Sequence, residues 1–428
     1  MKKRKQKHQS KLKKILNKIG PGFITGASDD DPSGIATYSQ TGAQFGYSQL
    51  WTSLFSFPFM ATIQEMCGRI GLVTGKGLAG VIKKHYSQKI LFFCVFLLVI
   101  ANTINIGADL GAMASAGQLV FNIHFVYVLL GITTLTLILE IFISYKNYAK
   151  ILKYLMLSLL SYVFVAFIVN QDWTTALLST IIPHFSFTKE YLLNIVAILG
   201  TTISPYLFFW QASEEVEEEV SKKELRSMGN GIPKFHFQEL KDMRLDTIFG
   251  MFFSNLIMFF IILAAASTLG AYNITNIQTA DQAAQALRPL AGNFAYLLFA
   301  VGIIGVGFLA VPVLAGSASY ALSETFGFKE GLYRKFSKAH GFYGIIILAT
   351  LIGLVINLTS IPPFKMLYYT AVINGLCAPP LIIIILLISN NKKIMGNYTN
   401  GKLSNTLGII ITGIMSLCAL ALLFILIT

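Results

Sequence analysis

Charge is scarce in this chain. Asp, Glu, Lys and Arg make up 12% of 428 residues against 54% hydrophobic, and mean hydropathy is +0.65. A soluble domain needs no such apolar excess, so that class is excluded. Cysteine is sparse as well. Cys67, Cys94, Cys377 and Cys418 lie far apart in apolar stretches, which argues against a disulfide framework and against structural zinc. The six histidines include none with an acidic partner at H-E-x-x-H spacing inside an apolar stretch, which argues against a membrane metalloprotease. A phosphate-cradling loop is missing too. Gly396, Gly401 and Lys402 have its spacing, but Leu403 stands where a magnesium-binding Ser or Thr belongs and no strand precedes it, so ATP-driven pumping is not expected.

What is present is a series of long apolar runs, at residues 20–46, 49–71, 89–119, 124–143, 149–169, 191–213, 247–271, 293–322, 341–357, 364–389 and 405–427. Most can cross a hydrocarbon core of about 30 Å as a helix, which predicts an all-α integral membrane protein of about eleven transmembrane helices. The first run carries acidic residues and no small-residue cleavage site, so it reads as a span rather than a signal peptide. The net charge of +13 is distributed by topology. With a cytoplasmic N-terminus and alternating spans, every basic residue except Lys189, Arg288 and Lys365 falls on the inside. The expected plan is a basic cytoplasmic tail at 1–18, resting on anionic lipid rather than nucleic acid, then a five-helix repeat at 19–169 and an extracellular loop at 170–190. A second five-helix repeat at 191–389 contains a cytoplasmic loop at 214–244, and a loop with helix 11 at 390–428 ends outside. The setting is a cell membrane crossed many times.

Two runs are interrupted at corresponding places in the two repeats, by Asp31-Pro32-Ser33-Gly34 and by Gly200-Thr201-Thr202-Ile203-Ser204-Pro205. Proline lacks an N–H and clashes with the carbonyl four residues back, so helices 1 and 6 should unwind there. Unwound backbone survives in a bilayer where it lines a cavity or is buried in protein. Paired broken helices point to a midplane site whose freed carbonyls receive cations. Ser28-Asp29-Asp30-Asp31 adds formal charge that is costly at membrane depth unless offset, which makes it a functional-site candidate.

The run Asp31-Pro32-Ser33-Gly34-Ile35-Ala36-Thr37-Tyr38-Ser39-Gln40-Thr41-Gly42-Ala43-Gln44-Phe45-Gly46-Tyr47 resembles the first-helix motif of the NRAMP family of divalent-metal transporters, and Gly68-Arg69-Ile70-Gly71-Leu72-Val73-Thr74-Gly75 continues the likeness. The resemblance implies a leucine-transporter-type inverted repeat, helices 1–5 and 6–10 plus helix 11. It implies a metal site of the Asp31 carboxylate, the main-chain carbonyls of Ser28 and Thr201, and residues 34 and 204. Here the family's asparagine and methionine ligands are replaced by Gly34 and Ser204. Loss of the thioether favours hard cations, and Mg2+ gives up its waters reluctantly. The chain is therefore most similar to the NRAMP-related magnesium transporters. The expected cargo is Mg2+ or Mn2+, with no cofactor and a monomer as the working unit.

Along the ion pathway the resemblance places Tyr206 where proton-coupled members have histidine. Asp109 remains on helix 3, but Ala112 replaces its acidic companion, so weak or no proton coupling is expected. Asp109 shares an i, i+3, i+7 stripe with Asn102 and Asn105. Asp30 is expected to attract cations beside the site, Gln211 to face the inner exit, and Asn374 to approach from helix 10. Glu65 and Arg69 form an i, i+4 pair. The acidic run Glu214-Glu215-Val216-Glu217-Glu218-Glu219 reads as a solvated helix extension. The alternatives are a proton-coupled Mn2+/Fe2+ transporter of the standard type and a leucine-transporter-type carrier of organic solutes.

Overall fold

Proline sets where many of the helices begin. In the computed structural model, which describes residues 20–142, 159–359 and 361–427, Pro21, Pro32, Pro205 and Pro363 each stand in the first turn of a helix, where a missing N–H costs nothing. The basic tail at 1–18 and the first part of the fifth predicted span lie outside the described residues.

Among the described residues all named elements are helical. The first predicted span is two helices, α1 (Pro21–Asp29) and α2 (Pro32–Phe45), followed by α3 (Trp51–Thr74), the short α4 (Leu78–His85), α5 (Gln88–Phe121), α6 (Phe125–Phe142), α7 (Leu160–Ile168) and α8 (Trp173–Ile181). The sixth predicted span is likewise split, into α9 (Lys189–Thr202) and α10 (Pro205–Lys222). Beyond it come α11 (Phe237–Thr268), the short α12 (Ala280–Ala284) and α13 (Arg288–Ala291), α14 (Ala295–Phe326), α15 (His340–Ile356), α16 (Pro363–Asn390), α17 (Lys392–Met395) and α18 (Lys402–Ile427). Seven stretches of the described residues are long and apolar enough to cross a membrane. Large apolar side chains such as Phe93, Phe96, Phe142 and Phe167 are exposed, while Asp29, Asp31, Asp109 and Gln211 are buried. That is inside out for a soluble protein and right for one surrounded by lipid.

Three expected boundaries need correction. The breaks are narrower than the proline and glycine pattern suggests: Ser33 and Gly34 already belong to the first turn of α2, and the second interruption is confined to Ile203 and Ser204. The loop expected at 214–244 shrinks to 223–236 because α10 and α11 extend into it. The loop at 170–190 contains α8.

Small residues hold the broken helices against their neighbours. A β-carbon on Gly26 would lie 2.3 Å from the Gly250 backbone of α11, and one on Gly200 would lie 2.0 Å from the Ala371 carbonyl of α16. Backbones this close leave room for no side chain, the usual device for packing helices in a bilayer.

Candidate cation site

In a continuous helix, the carbonyls of Ser28 and Thr201 would accept from the N–H of residues 32 and 205. Both of those residues are proline, so both carbonyls are freed by the same chemistry. The structure supplies other donors. The Tyr206 hydroxyl donates to the Ser28 carbonyl at 2.7 Å, and the Ser204 hydroxyl lies 2.7 Å from the Thr201 carbonyl and 2.8 Å from that of Gly200. A carbonyl has two lone pairs, so each keeps one for a further partner.

Asp31 caps α2. Its Oδ1 accepts from the Gly34 N–H and the Ser33 hydroxyl, each at 2.7 Å, and its Oδ2 accepts from Asn105 Nδ2 at 2.9 Å. The carboxylate thus sits at the positive end of α2 with its orientation set by three donors. Gly34 adjoins the other break: a β-carbon there would lie 3.3 Å from the Thr201 hydroxyl and from the Asp29 carbonyl. Asp31, Ser28, Gly34, Thr201, Ser204 and Tyr206 are therefore brought together, all of them buried.

The flanking acids are buried as well. Ser254 of α11 donates to Asp29 Oδ2 at 2.6 Å and lies 3.3 Å from Asp30 Oδ1. Asp109 is fully buried with neither oxygen hydrogen-bonded, and Asp29 Oδ1 is also unpartnered. None of the ion pairs among the described residues involves Asp29, Asp30, Asp31 or Asp109. The arrangement offers carboxylate, carbonyl and hydroxyl oxygens to a cation, and among the described residues no ion pair competes for the carboxylates.

Two predicted pathway residues have definite surroundings. Gln211 is a strut: it accepts from the Thr25 hydroxyl of α1 at 2.5 Å and donates to Glu215 at 2.8 Å. Asn374 is buried on α16, its Nδ2 unpartnered, and no hydrogen bond among the described residues joins it to Asp31. Conversely, Asn105, Ser33 and Ser254 touch the aspartates and were absent from the predicted ligands. Asn105 had a visible signal, its place on the stripe with Asp109; Ser254 had none.

A cavity of about 300 Å³ opens on the side of α2 away from the breaks and reaches Ala36, with Gln40, Glu190, Lys365 and Tyr368 among its walls. Gln40 clamps its rim, donating to the Thr275 carbonyl and accepting from the Ile277 N–H, each at 2.8 Å. On the opposite face the acidic extension of α10 is not solvated as expected. Glu215 and Glu219 are buried, and Glu217 accepts from the Tyr320 hydroxyl and the Leu332 N–H.

Two helices broken at facing points, with a carboxylate at one break and proline-freed carbonyls at both, define a carrier of the broken-helix class. The chain matches the Nramp family (natural resistance-associated macrophage protein-like) over residues 22–425 and belongs to it; it is a multi-pass membrane protein. It is 25% identical over 419 residues to the divalent metal cation transporter MntH of Caldanaerobacter subterraneus subsp. tengcongensis, covering 94% of this chain and 91% of that one. It is 26% identical over 308 residues to MntH of Klebsiella pneumoniae subsp. pneumoniae, covering 70% of each. Its fold is similar to that of the Eremococcus coleocola manganese transporter, with a TM-score of 0.76 at 17% identity over 97% of this chain and 87% of that one. It is also similar to Mhp1, a nucleobase-cation-symport-1 family transporter, with a TM-score of 0.61 at 11% identity over 95% and 89%. The leucine-transporter-type fold expected from the motif is the observed one.

Proposed function

We propose that this protein carries divalent metal ions, Mg2+ and Mn2+, across the cell membrane into the cytoplasm by alternating access, with weak or no coupling to protons. One observation carries the reading: the Asp31 carboxylate caps the break that frees the Ser28 carbonyl, Tyr206 from the other break bonds that carbonyl, and no ion pair among the described residues reaches Asp31. An isolated carboxylate is costly at that depth, and a divalent ion offsets it. Carboxylate, carbonyl and hydroxyl donors suit hard cations, and the bare Gly34 leaves room for an ion that keeps some of its water. The names of the MntH relatives and of the manganese transporter support divalent metal as the cargo class. The basic face carrying residues 223–236 and 327–339 would be cytoplasmic, with the C-terminus outside, so the membrane potential drives uptake at about 2.3 kcal/mol per charge per 100 mV.

Tyr206 does not titrate near neutral pH as a histidine would, which supports uncoupled uptake. Asp109, with both oxygens unpartnered, favours the proton-coupled alternative. Uptake of Mg2+ and Mn2+ into liposomes with internal pH recorded separates the two. The expected result is saturable uptake of both ions without acidification, reduced more than about 100-fold in Asp31→Ala, because an uncompensated buried ion costs about 3–5 kcal/mol. Parent-like Mg2+ uptake by Asp31→Ala would refute the site.

A further inference from the structure

Helical side chains lean towards the N-terminus, so residue 38 covers residue 34 one turn below it. Gly34 and Tyr38 show this directly. A β-carbon added at Gly34 would lie 3.3 Å from the Cε2 edge of the Tyr38 ring, and equally close to the Asp29 carbonyl and the Thr201 hydroxyl. All three contacts are tighter than ordinary van der Waals packing, before any atom beyond the β-carbon is counted. A longer side chain at 34 would therefore have to displace the Tyr38 ring edge, the Asp29 carbonyl and the Thr201 hydroxyl by a few tenths of an ångström. Tyr38 itself is fully buried, within electrostatic range of Asp29, Asp30 and Asp31. Its hydroxyl stands beside the Thr201 hydroxyl and closes no hydrogen bond of ordinary geometry. A buried hydroxyl left in that condition, in the field of three carboxylates, is placed to meet a polar atom that arrives with the cargo.

We propose that Gly34 and Tyr38 act as one selectivity unit: the ring edge crowds any side-chain ligand at position 34, and the Tyr38 hydroxyl accepts a hydrogen bond from a water carried by the ion. Water on a divalent cation is a strong donor, and the phenol oxygen has lone pairs free to accept from it. The unit thus recognises a partly hydrated ion through its shell. This rests on the proposed transport of hydrated Mg2+, and it makes the glycine at 34 a packing consequence of the residue at 38.

The test is liposome uptake of Mg2+ and Mn2+, read as KM and maximal rate, for the parent, Tyr38→Phe, Tyr38→Ala, Gly34→Asn and the double variant Gly34→Asn/Tyr38→Ala. Size-exclusion profiles and heat-induced unfolding are recorded alongside. Tyr38→Phe keeps the ring and loses the hydroxyl. Its KM for Mg2+ should rise about tenfold, with the maximal rate within about twofold and a smaller change for Mn2+, as loss of one charge-assisted hydrogen bond predicts. Gly34→Asn should lose at least about tenfold of Mn2+ uptake, and the double variant should regain most of it, a non-additivity expected when two residues contend for one space. Unchanged Mg2+ kinetics in Tyr38→Phe, or additive effects at 34 and 38, would overturn the proposal. If the parent moves Mn2+ but no Mg2+, the choice of cargo fails, while the coupling between 34 and 38 is still read with Mn2+ alone.

Discussion

The Tyr206 hydroxyl donates a 2.7 Å hydrogen bond to the Ser28 carbonyl, joining the two broken helices across 178 residues of sequence. Pro32 removes the helical donor of that carbonyl, and the first turn of α10 replaces it with a phenol. The second break thus completes the first, while the Ser204 hydroxyl serves the Thr201 carbonyl within its own helix.

Tyr206→Phe strips that donor and leaves a buried carbonyl unsatisfied, which costs about 1–3 kcal/mol. The metal-free variant should unfold at a lower temperature in detergent. Saturating Mg2+ should stabilise it by more than it stabilises the parent, since the ion then serves the orphaned oxygen. Equal metal-induced shifts in the two proteins would contradict a role for Ser28 as a ligand.

Arg69 is almost wholly buried and ties three regions together. It forms a fork with Glu65 at 2.9 and 3.1 Å and donates to the Tyr398 carbonyl and to Asn400 Oδ1, each at 2.5 Å, while Arg244 adds a second contact to Glu65 at 2.7 Å. Lysine keeps the charge but cannot reproduce the planar fork. Arg69→Lys should therefore lower the unfolding temperature in detergent, and Arg69→Ala should lower it further, towards the roughly 3–5 kcal/mol cost of a broken buried pair. A lysine variant as stable as the parent would show that charge alone suffices.

Glu330, in the loop between α14 and α15, is pushed up to about 9 by burial, with nearby Glu324 raising it further and Lys76 pulling it back. In the unfolded chain the same carboxyl sheds its proton near 4.5. The folded state therefore holds a proton that the unfolded state has lost, and this residue's contribution to stability falls as pH rises from about 4.5 to about 9. Glu330→Gln removes the liability. Its gain in unfolding temperature over the parent should widen between pH 6 and pH 8. A constant gap would place the titration elsewhere.

The spans and the two breaks were legible in the sequence because their causes are local. A run of apolar residues long enough to cross a bilayer declares itself, and so does a proline that deletes an N–H. The aspartates stood out for the same reason, as charge where charge is costly. The acidic run at 214–219 misled because a charge run is usually solvated. Here Glu217 meets Tyr320 and the Leu332 N–H, partners more than a hundred residues away. For Gln211, expected towards the inner exit, the structure adds a partner on another helix, the Thr25 hydroxyl of α1.

Composition and periodicity alone determined a helical membrane protein, broken twice, with acid at the first break. Which oxygens face which donors was decided only by packing: Asn105 on Asp31, Ser254 between Asp29 and Asp30, Tyr206 on Ser28, and the Tyr38 ring over Gly34 between the breaks. Backbone pairing within a helix depends on residues four apart and can be read along the chain. A donor supplied by another helix depends on how glycine-lined surfaces let the two backbones approach, and that is a property of the assembled bundle.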